Sequence, residues 1–275
     1  MGEVGREVGR AADAAESVTD SPGFVAAARA GYAASGLLHL MIGVIALRIA
    51  SGGSGSADQS GAVAQLARTP GGGLLLWACF LGCAALALFL LSKAVVSGRR
   101  HGGKDRAKQV LKEGGQAVVY GAVGATFGVH ALGGTSSSSG SAGSLTARLM
   151  ASPGGAALLI AVGAGILVGG GYFVYRGVTA TFLKNLQRLP PGRAGTAVKN
   201  LGKAGYVAKG IALGLLGALV VVATVQHDPQ ESTGLDGALK SLQQQPYGVW
   251  MLGAVAVGLI CYGLFMVVRA KYQRM

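Results

Sequence analysis

The sequence predicts an all-α, polytopic membrane protein with six transmembrane helices, and its composition is the first support for this fold class. Only 13% of the 275 residues are charged and 51% are apolar, which disfavours a soluble domain. The 48 glycines lie mostly inside apolar stretches, without the triplet period of collagen or the polarity of a flexible linker. Such a distribution is typical of closely packed membrane helices.

Six apolar runs are the second support, because roughly 20 residues of helix cross a hydrocarbon core of roughly 30 Å. The runs lie at approximately 30–50, 71–96, 115–133, 154–179, 204–226 and 247–269. The third run is the weakest, since Gly121, Gly124 and Gly128 dilute it. It is retained because the repeat pattern would be incomplete without it.

Internal repetition is the third support, and it is seen when the even-numbered spans are aligned on a proline at their outer ends. Four columns agree: a leucine four residues before the proline, and a glycine, an aromatic residue and a base 12, 19 and 23 residues after it. The prolines are Pro70, Pro153 and Pro246, and the columns are Leu66, Leu149 and Leu242; Gly82, Gly165 and Gly258; Phe89, Tyr172 and Phe265; and Lys93, Arg176 and Arg269.

The odd-numbered spans repeat more loosely. Gly31, Tyr32, Gly36 and Gly43 of the first correspond to Gly205, Tyr206, Gly210 and Gly217 of the fifth, and the third matches chiefly at Gly124. The chain therefore divides into an N-terminal segment, 1–28, and three two-helix repeats, 29–100, 101–190 and 191–275. Since each repeat contributes one outward and one inward helix, the three hairpins are predicted to be related by an approximate threefold axis along the membrane normal.

The N-terminal segment does not read as a signal peptide, because acidic and basic residues are mixed and no short apolar core ends in a cleavage site. A short amphipathic helix around Val4 and Val8 or a disordered segment both fit its composition. Either way, the segment is expected to stay attached and to lie in the cytoplasm.

Basic residues in the short linkers predict the orientation. The linker between the second and third spans has six Lys and Arg residues and that between the fourth and fifth has five, whereas the three other loops contain only Arg68, Arg148 and Lys240 as clear bases. The two basic linkers and both termini are therefore expected to lie in the cytoplasm.

The repeated columns have physical interpretations. Gly82, Gly165 and Gly258 follow the prolines by 12 residues, about 18 Å along a helix axis, and each is predicted to be a close helix contact near the bilayer midplane. Lys93, Arg176 and Arg269 lie about 34 Å from the prolines, and each is predicted to anchor its helix at the cytoplasmic interface by reaching anionic headgroups. Short amphipathic helices are predicted before the three prolines, with the column leucines on one face.

Few side chains suggest chemistry. His39 is the ionisable residue near the middle of a span, with His130 and Arg48 near outer ends, and an intramembrane ionisable group is a functional candidate. Its two interpretations are a neutral imidazole bonded to a neighbouring helix and a haem or metal ligand acting with His130. The cysteines do not form a metal-binding motif, and paired carboxylates or phosphate loops are not evident, so no cofactor and no catalysis are expected.

These columns resemble an uncharacterised family of bacterial, largely actinobacterial, membrane proteins with three tandem copies of a two-helix domain of unknown function. The resemblance covers roughly residues 27–272. The motifs on which it rests are Arg29-Ala30-Gly31-Tyr32, Pro70-Gly71-Gly72, Pro153-Gly154-Gly155 and Lys203-Ala204-Gly205-Tyr206. The second copy lacks the Gly-Tyr pair, and the third has Pro246-Tyr247-Gly248. The resemblance implies this fold and a location in the plasma membrane of a bacterium, and it brings no catalytic residues.

Two function classes remain. The favoured one is a structural or accessory protein that organises a membrane assembly or its lipids, with anionic headgroups at the cytoplasmic face and other membrane proteins as partners, and without nucleic acid. The alternative is a small-molecule or lipid transporter. A water-accessible cavity through His39, Thr126 or Thr224 would favour transport, whereas a packed threefold centre would favour the accessory role.

Overall fold

The computed structural model describes residues 21–100, 103–186, 191–228 and 234–273. These ranges are all-α, with nine α-helices and one short 3₁₀ turn. The helices are α1 Pro22–Ala50, α2 Gln59–Ala67, α3 Gly72–Arg100, α4 Gly103–Ala131, α5 Ser138–Met150, α6 Gly155–Thr179, α7 Arg193–Gln226, α8 Gly234–Gln243 and α9 Gly248–Tyr272, and the 3₁₀ turn is Thr181–Asn185. The predicted amphipathic stretch around Val4 and Val8 lies outside the described residues.

Five helices of the described ranges are long and apolar enough to cross a membrane, where the sequence predicts six spans. They are Pro22–Ala50, Gly72–Val95, Gly155–Thr179, Arg193–Gln226 and Gly248–Tyr272. The predicted third span lies within α4, which has the same 29-residue length as α1. Its first half carries charges up to Glu113 and its second half is diluted by glycine, so α4 is less hydrophobic than the other long helices.

The long helices pack in the order α4, α3, α1, α9, α7, α6. The closest pairs are α3 with α4, α6 with α7, and α9 with α1, while α1 with α3 and α7 with α9 pack less extensively. Each closest pair joins an even-numbered predicted span to an odd-numbered span of a different repeat, whereas the weaker pairs are the hairpins within repeats. Within the described ranges, α4 and α6 are neighbours in sequence order but do not form a packed pair.

Glycines make the closest pairs possible. A methyl group on Gly36 of α1 would lie 2.7 Å from the carbonyl oxygen of Gly263 in α9, and one on Gly210 of α7 would lie 2.6 Å from that of Gly170 in α6. These distances leave no room for a side chain, so backbone meets backbone at both crossings. Gly170 and Gly263 both stand 17 residues after their prolines, so this column lies five residues beyond the glycine column that the sequence emphasised.

Short helices precede the three prolines, as predicted. Leu66 of α2 and Leu242 of α8 are buried with their neighbours Val63 and Leu239, whereas Leu145 of α5 is largely exposed. The residue after each proline has a positive φ: Gly71 at +75°, Gly154 at +78° and Tyr247 at +60°. The glycine two residues after each proline lies against the backbone carbonyl of the column leucine, which explains why this position is glycine in all three repeats.

Candidate functional site

Aromatic and cationic side chains fill the interior at the end of the bundle that carries Lys93, Arg176 and Arg269, here named the basic end. Tyr206 of α7 is the centre of this cluster. Its ring stacks on Phe182 of the 3₁₀ turn at 4.9 Å and meets Tyr262 edge-on at 5.3 Å. The Arg269 guanidinium donates to the Tyr206 hydroxyl at 3.3 Å and lies 4.8 Å from the ring of Tyr32. Residues of α1, α7, α9 and the turn after α6 are thereby joined.

A second polar centre lies deeper, where α1, α7 and α9 meet. The Lys209 ammonium is 3.1 Å from His39 Nε2 and donates to the Tyr262 hydroxyl at 3.3 Å. His39 Nδ1 lies 2.7 Å from the carbonyl oxygen of Ser35, so Nδ1 carries the proton and Nε2 accepts from Lys209. The rings of Tyr262 and Phe173 flank the ammonium at 4.5 and 5.2 Å. Among the described residues, no carboxylate lies within ion-pair distance of Lys209.

A polar cavity of about 190 Å³ opens at the basic end. Its lining includes four cationic side chains and one carboxylate: Lys93, Lys112, Lys184, Arg269 and Glu113. Lys112 and Glu113 form an ion pair at 3.8 Å. The cavity therefore has a net positive lining, a suitable environment for an anionic group.

The bundle is open on one side, between α4 and α6, and this gap is here named the α4–α6 opening. The aromatic column shows the effect: Phe89 and Phe265 are 3% and 0% exposed, whereas Tyr172 of α6 is 56% exposed. α6 is also the least buried of the five candidate spans, because within the described ranges α7 is the one long helix packed against it. At the proline end of the bundle, α5 connects the two helices covalently.

Comparison with known proteins places this architecture in a family. The model of the family described as Domain of Unknown Function (DUF1206) matches three successive stretches, residues 30–97, 114–180 and 204–273. The chain belongs to this family. It is also 32% identical over 254 residues to "Uncharacterized protein YxxB" of Bacillus subtilis (strain 168), with 90% of each chain covered. No solved structure matches this DUF1206 protein.

The glycine column of this DUF1206 protein is not uniform. A methyl group on Gly82 would lie 2.9 Å from the backbone nitrogen of Gly31, and one on Gly258 would collide with Ala208. The prediction of a close contact does not describe Gly165, where a methyl group would meet no atom within 4 Å. The reason is the missing neighbour: Gly82 and Gly258 face a packed helix of their own repeat, whereas Gly165 lies on a helix without one.

The three predicted anchors also differ from one another. Lys93 lies 4.3 Å from the Phe89 ring, and Arg176 lies 5.1 Å from the Tyr206 ring. Arg269 turns into the bundle, where it also donates to Gln273 at 2.7 Å, so its contacts are not those of an anchor extended toward headgroups. A guanidinium has five donors and a flat face, and the tyrosines of the cluster offer it both hydroxyls and rings.

The polar centre at Lys209 was missed because the base lies only five residues inside the predicted span 204–226, close to the basic linker. Its position inside that span was the available signal. His39 and His130 do not share a site: His130 Nδ1 is 3.0 Å from the Thr126 carbonyl of its own helix, while His39 contacts Lys209. The described residues contain no group of three His, Cys, Asp or Glu side chains suited to a metal.

Proposed function

We propose that this DUF1206 protein is a six-span protein of the bacterial cell membrane, with its basic end and termini in the cytoplasm. We propose further that it is an accessory component which holds anionic lipid headgroups at that end. The proposal includes no catalysis, cofactor or nucleic acid. The excess of bases in the linkers at the basic end supports the orientation, and the length of α4 and its packing against α3 support a sixth span.

An approximate threefold arrangement is part of this proposal. Its support is the equivalence of the closest pairs, in which α3 with α4, α6 with α7, and α9 with α1 each join an even span to an odd one. The equivalent glycines at the α6/α7 and α9/α1 crossings add to this support. The arrangement brings Lys93 and Arg269, which are equivalent in sequence, to one cavity.

The basic cavity is the observation that carries the functional proposal. Lys93 and Arg269 come from spans, whereas Lys112 and Lys184 come from the segments flanking the α4–α6 opening. Each base near an anionic membrane surface contributes about 1 kcal/mol of attraction, and a concave lining concentrates this attraction at one point. Because the bases lie where a span ends, a lipid phosphate is the anion that reaches them most directly.

Lipid retention measured by native mass spectrometry tests the proposal. The purified protein would be incubated with dioleoyl phosphatidylglycerol or dioleoyl phosphatidylcholine, and the bound lipid would be counted. We expect preferential retention of phosphatidylglycerol, reduced in the double variant Lys93→Gln/Lys184→Gln. Lys199→Gln is a control for the removal of a positive charge elsewhere, because Lys199 is exposed on α7 and does not line the cavity. Equal retention of both lipids by the wild type would contradict the proposal.

Transport is the second candidate function, and the buried Lys209–His39–Tyr262 centre favours it. Ionisable groups inside membrane bundles commonly mark substrate or ion paths. Thr224, however, is buried and donates to the Val220 carbonyl of its own helix at 2.6 Å, so it adds no free polar group to such a path. Solute or proton flux into proteoliposomes that disappears in Lys209→Met while lipid retention stays unchanged would establish transport over the accessory role.

A further inference from the structure

The face that α6 leaves unpacked is the face that is packed in the other two repeats. Nine, 12 and 19 residues after the prolines, the first and third repeats have buried residues, whereas α6 has Val162, Gly165 and Tyr172, all exposed. Val162 is 46% exposed, and its counterparts Cys79 and Val255 are 5% and 6% exposed. The α4–α6 opening is therefore a helix interface that is closed twice in the molecule and open once.

Glycine also stands on the facing side of the opening. Gly115 of α4 occupies the position that Ala208 has in α7, nine residues before the glycine shared by the odd-numbered spans. Ala208 is buried against Gly258. A methyl group on Gly115 would meet no atom within 4 Å, as for Gly165. Both walls of the opening thus have small residues and unfilled space at the level where the other repeats make contact.

The basic cavity lies at one end of this opening. Lys112 belongs to α4, and Lys184 and Asn185 belong to the 3₁₀ turn that directly follows α6, so α4 and this turn both contribute to the cavity wall. At the opposite end, α5 joins α4 to α6 through the chain itself. An apolar opening that is bounded at one end and meets cations at the other matches the chemistry of an anionic amphiphile.

We infer that the α4–α6 opening is a slot for an acyl chain of an anionic glycerophospholipid whose phosphate lies in the basic cavity. This inference rests on the proposed headgroup binding and deepens it by naming the ligand and its route, which is sideways from the bilayer. The second repeat is the lipid site, because it is the repeat whose two helices are separated. Gly115 and Gly165 leave room for the chain, and Lys112 and Lys184 bind the phosphate.

A lipid is favoured over a second protein chain by the charge at the end of the opening. A transmembrane helix of a partner would fill the apolar walls but would need an acidic group at the cavity to match its net positive lining. An anionic lipid supplies both the apolar chain and the negative charge in one molecule, and lipids surround the protein in the bilayer. A soluble phosphate would match only the cavity and would leave Val162 and Val118, both exposed, without an apolar contact.

Substitutions that fill the slot test the inference in the intact protein. Gly165→Leu and Gly115→Leu place side chains in open space, so both variants are expected to keep the wild-type unfolding temperature. Retention of dioleoyl phosphatidylglycerol in native mass spectra is expected to fall by about fivefold or more. Gly171→Leu is the matched control, since Gly171 is equally open on α6 but lies about 120° around the helix axis from Gly165, and lipid retention by this variant is expected to be unchanged.

A photoreactive probe gives an independent measurement. Phosphatidylglycerol with a diazirine in one acyl chain is expected to crosslink to peptides of both α4 and α6, and glycerol phosphate, which lacks the chains, is expected to compete only weakly. Unchanged retention in Gly165→Leu and Gly115→Leu, together with loss in Lys93→Gln/Lys184→Gln, would overturn the slot and leave headgroup binding intact. Unchanged retention in all of these variants would overturn both. A wild-type dimer that Gly165→Leu converts to a monomer would identify a second copy as the occupant and also overturn the inference.

Discussion

Within the described residues, the two long helices of the second repeat of this DUF1206 protein do not pack against each other, unlike those of the first and third repeats. Gly82 and Gly258 each face a neighbouring helix in contact with them, whereas their counterpart Gly165 faces open space. The residue type is the same at all three positions. The comparison teaches that a small residue permits a helix contact but does not create one. Whether a contact forms depends on the presence of a neighbouring helix.

The aromatic column gives the largest expected effect of this comparison. Phe265 is fully buried and packs edge-on against Phe182 at 5.0 Å, whereas Tyr172 is more than half exposed. Phe265→Ala is expected to lower the free energy of unfolding by about 3–5 kcal/mol, and Tyr172→Ala by less than about 0.5 kcal/mol. Unfolding in detergent, followed by circular dichroism, measures both. Similar losses in the two variants would mean that Tyr172 is buried in solution and that the opening is closed.

The glycine column gives an intermediate effect. Gly82→Leu is expected to cost about 1–3 kcal/mol, because the side chain must displace the α1 backbone at Gly31. Gly165→Leu in the same detergent is expected to change stability by no more than about 0.5 kcal/mol. A loss in Gly165→Leu equal to that in Gly82→Leu would show that α4 and α6 approach each other in the membrane.

The residues that directly follow the three prolines give the smallest effect. They compare the third repeat with the other two. Gly71 and Gly154 have positive φ at no steric cost, whereas Tyr247 has a φ of +60° with a side chain. Tyr247→Gly relieves a strain of about 1–2 kcal/mol but removes an exposed aromatic ring, so a net stabilisation of about 0.5–1 kcal/mol is expected in detergent. Reconstitution in bilayers supplies the control: a loss of stability there alone would show that the ring is an interfacial anchor.

Much of the fold could be predicted from sequence, because hydrophobic run length and the proline-aligned columns report directly on helices and their ends. The pairing of helices could not. Sequence order suggests hairpins within repeats, yet α1 packs most closely with α9 and α6 with α7, since the glycines at these crossings, Gly263 and Gly170, lie five residues beyond the column of Gly82, Gly165 and Gly258.

The candidate site was predicted only in part. His39 was identified because a histidine in an apolar run is conspicuous, whereas its partner Lys209 resembles one more base of the adjoining linker. The inward turn of Arg269 depends on tyrosines of two other helices, Tyr32 of α1 and Tyr206 of α7, which no local pattern records. The basic cavity likewise combines residues from α1, α3, α4, α9 and the 3₁₀ turn, and such a combination exists only after folding.

The close packing of α1 against α9 has a consequence for how the protein is made. α1 ends at Ala50 and α9 begins at Gly248, so the crossing at Gly36 and Gly263 forms only after α9 has left the ribosome. Until then, the glycine face of α1 lies against lipid, and no helix of its own repeat covers it as closely. A chain that stops before α9 therefore leaves this glycine face of its first helix without the helix that covers it.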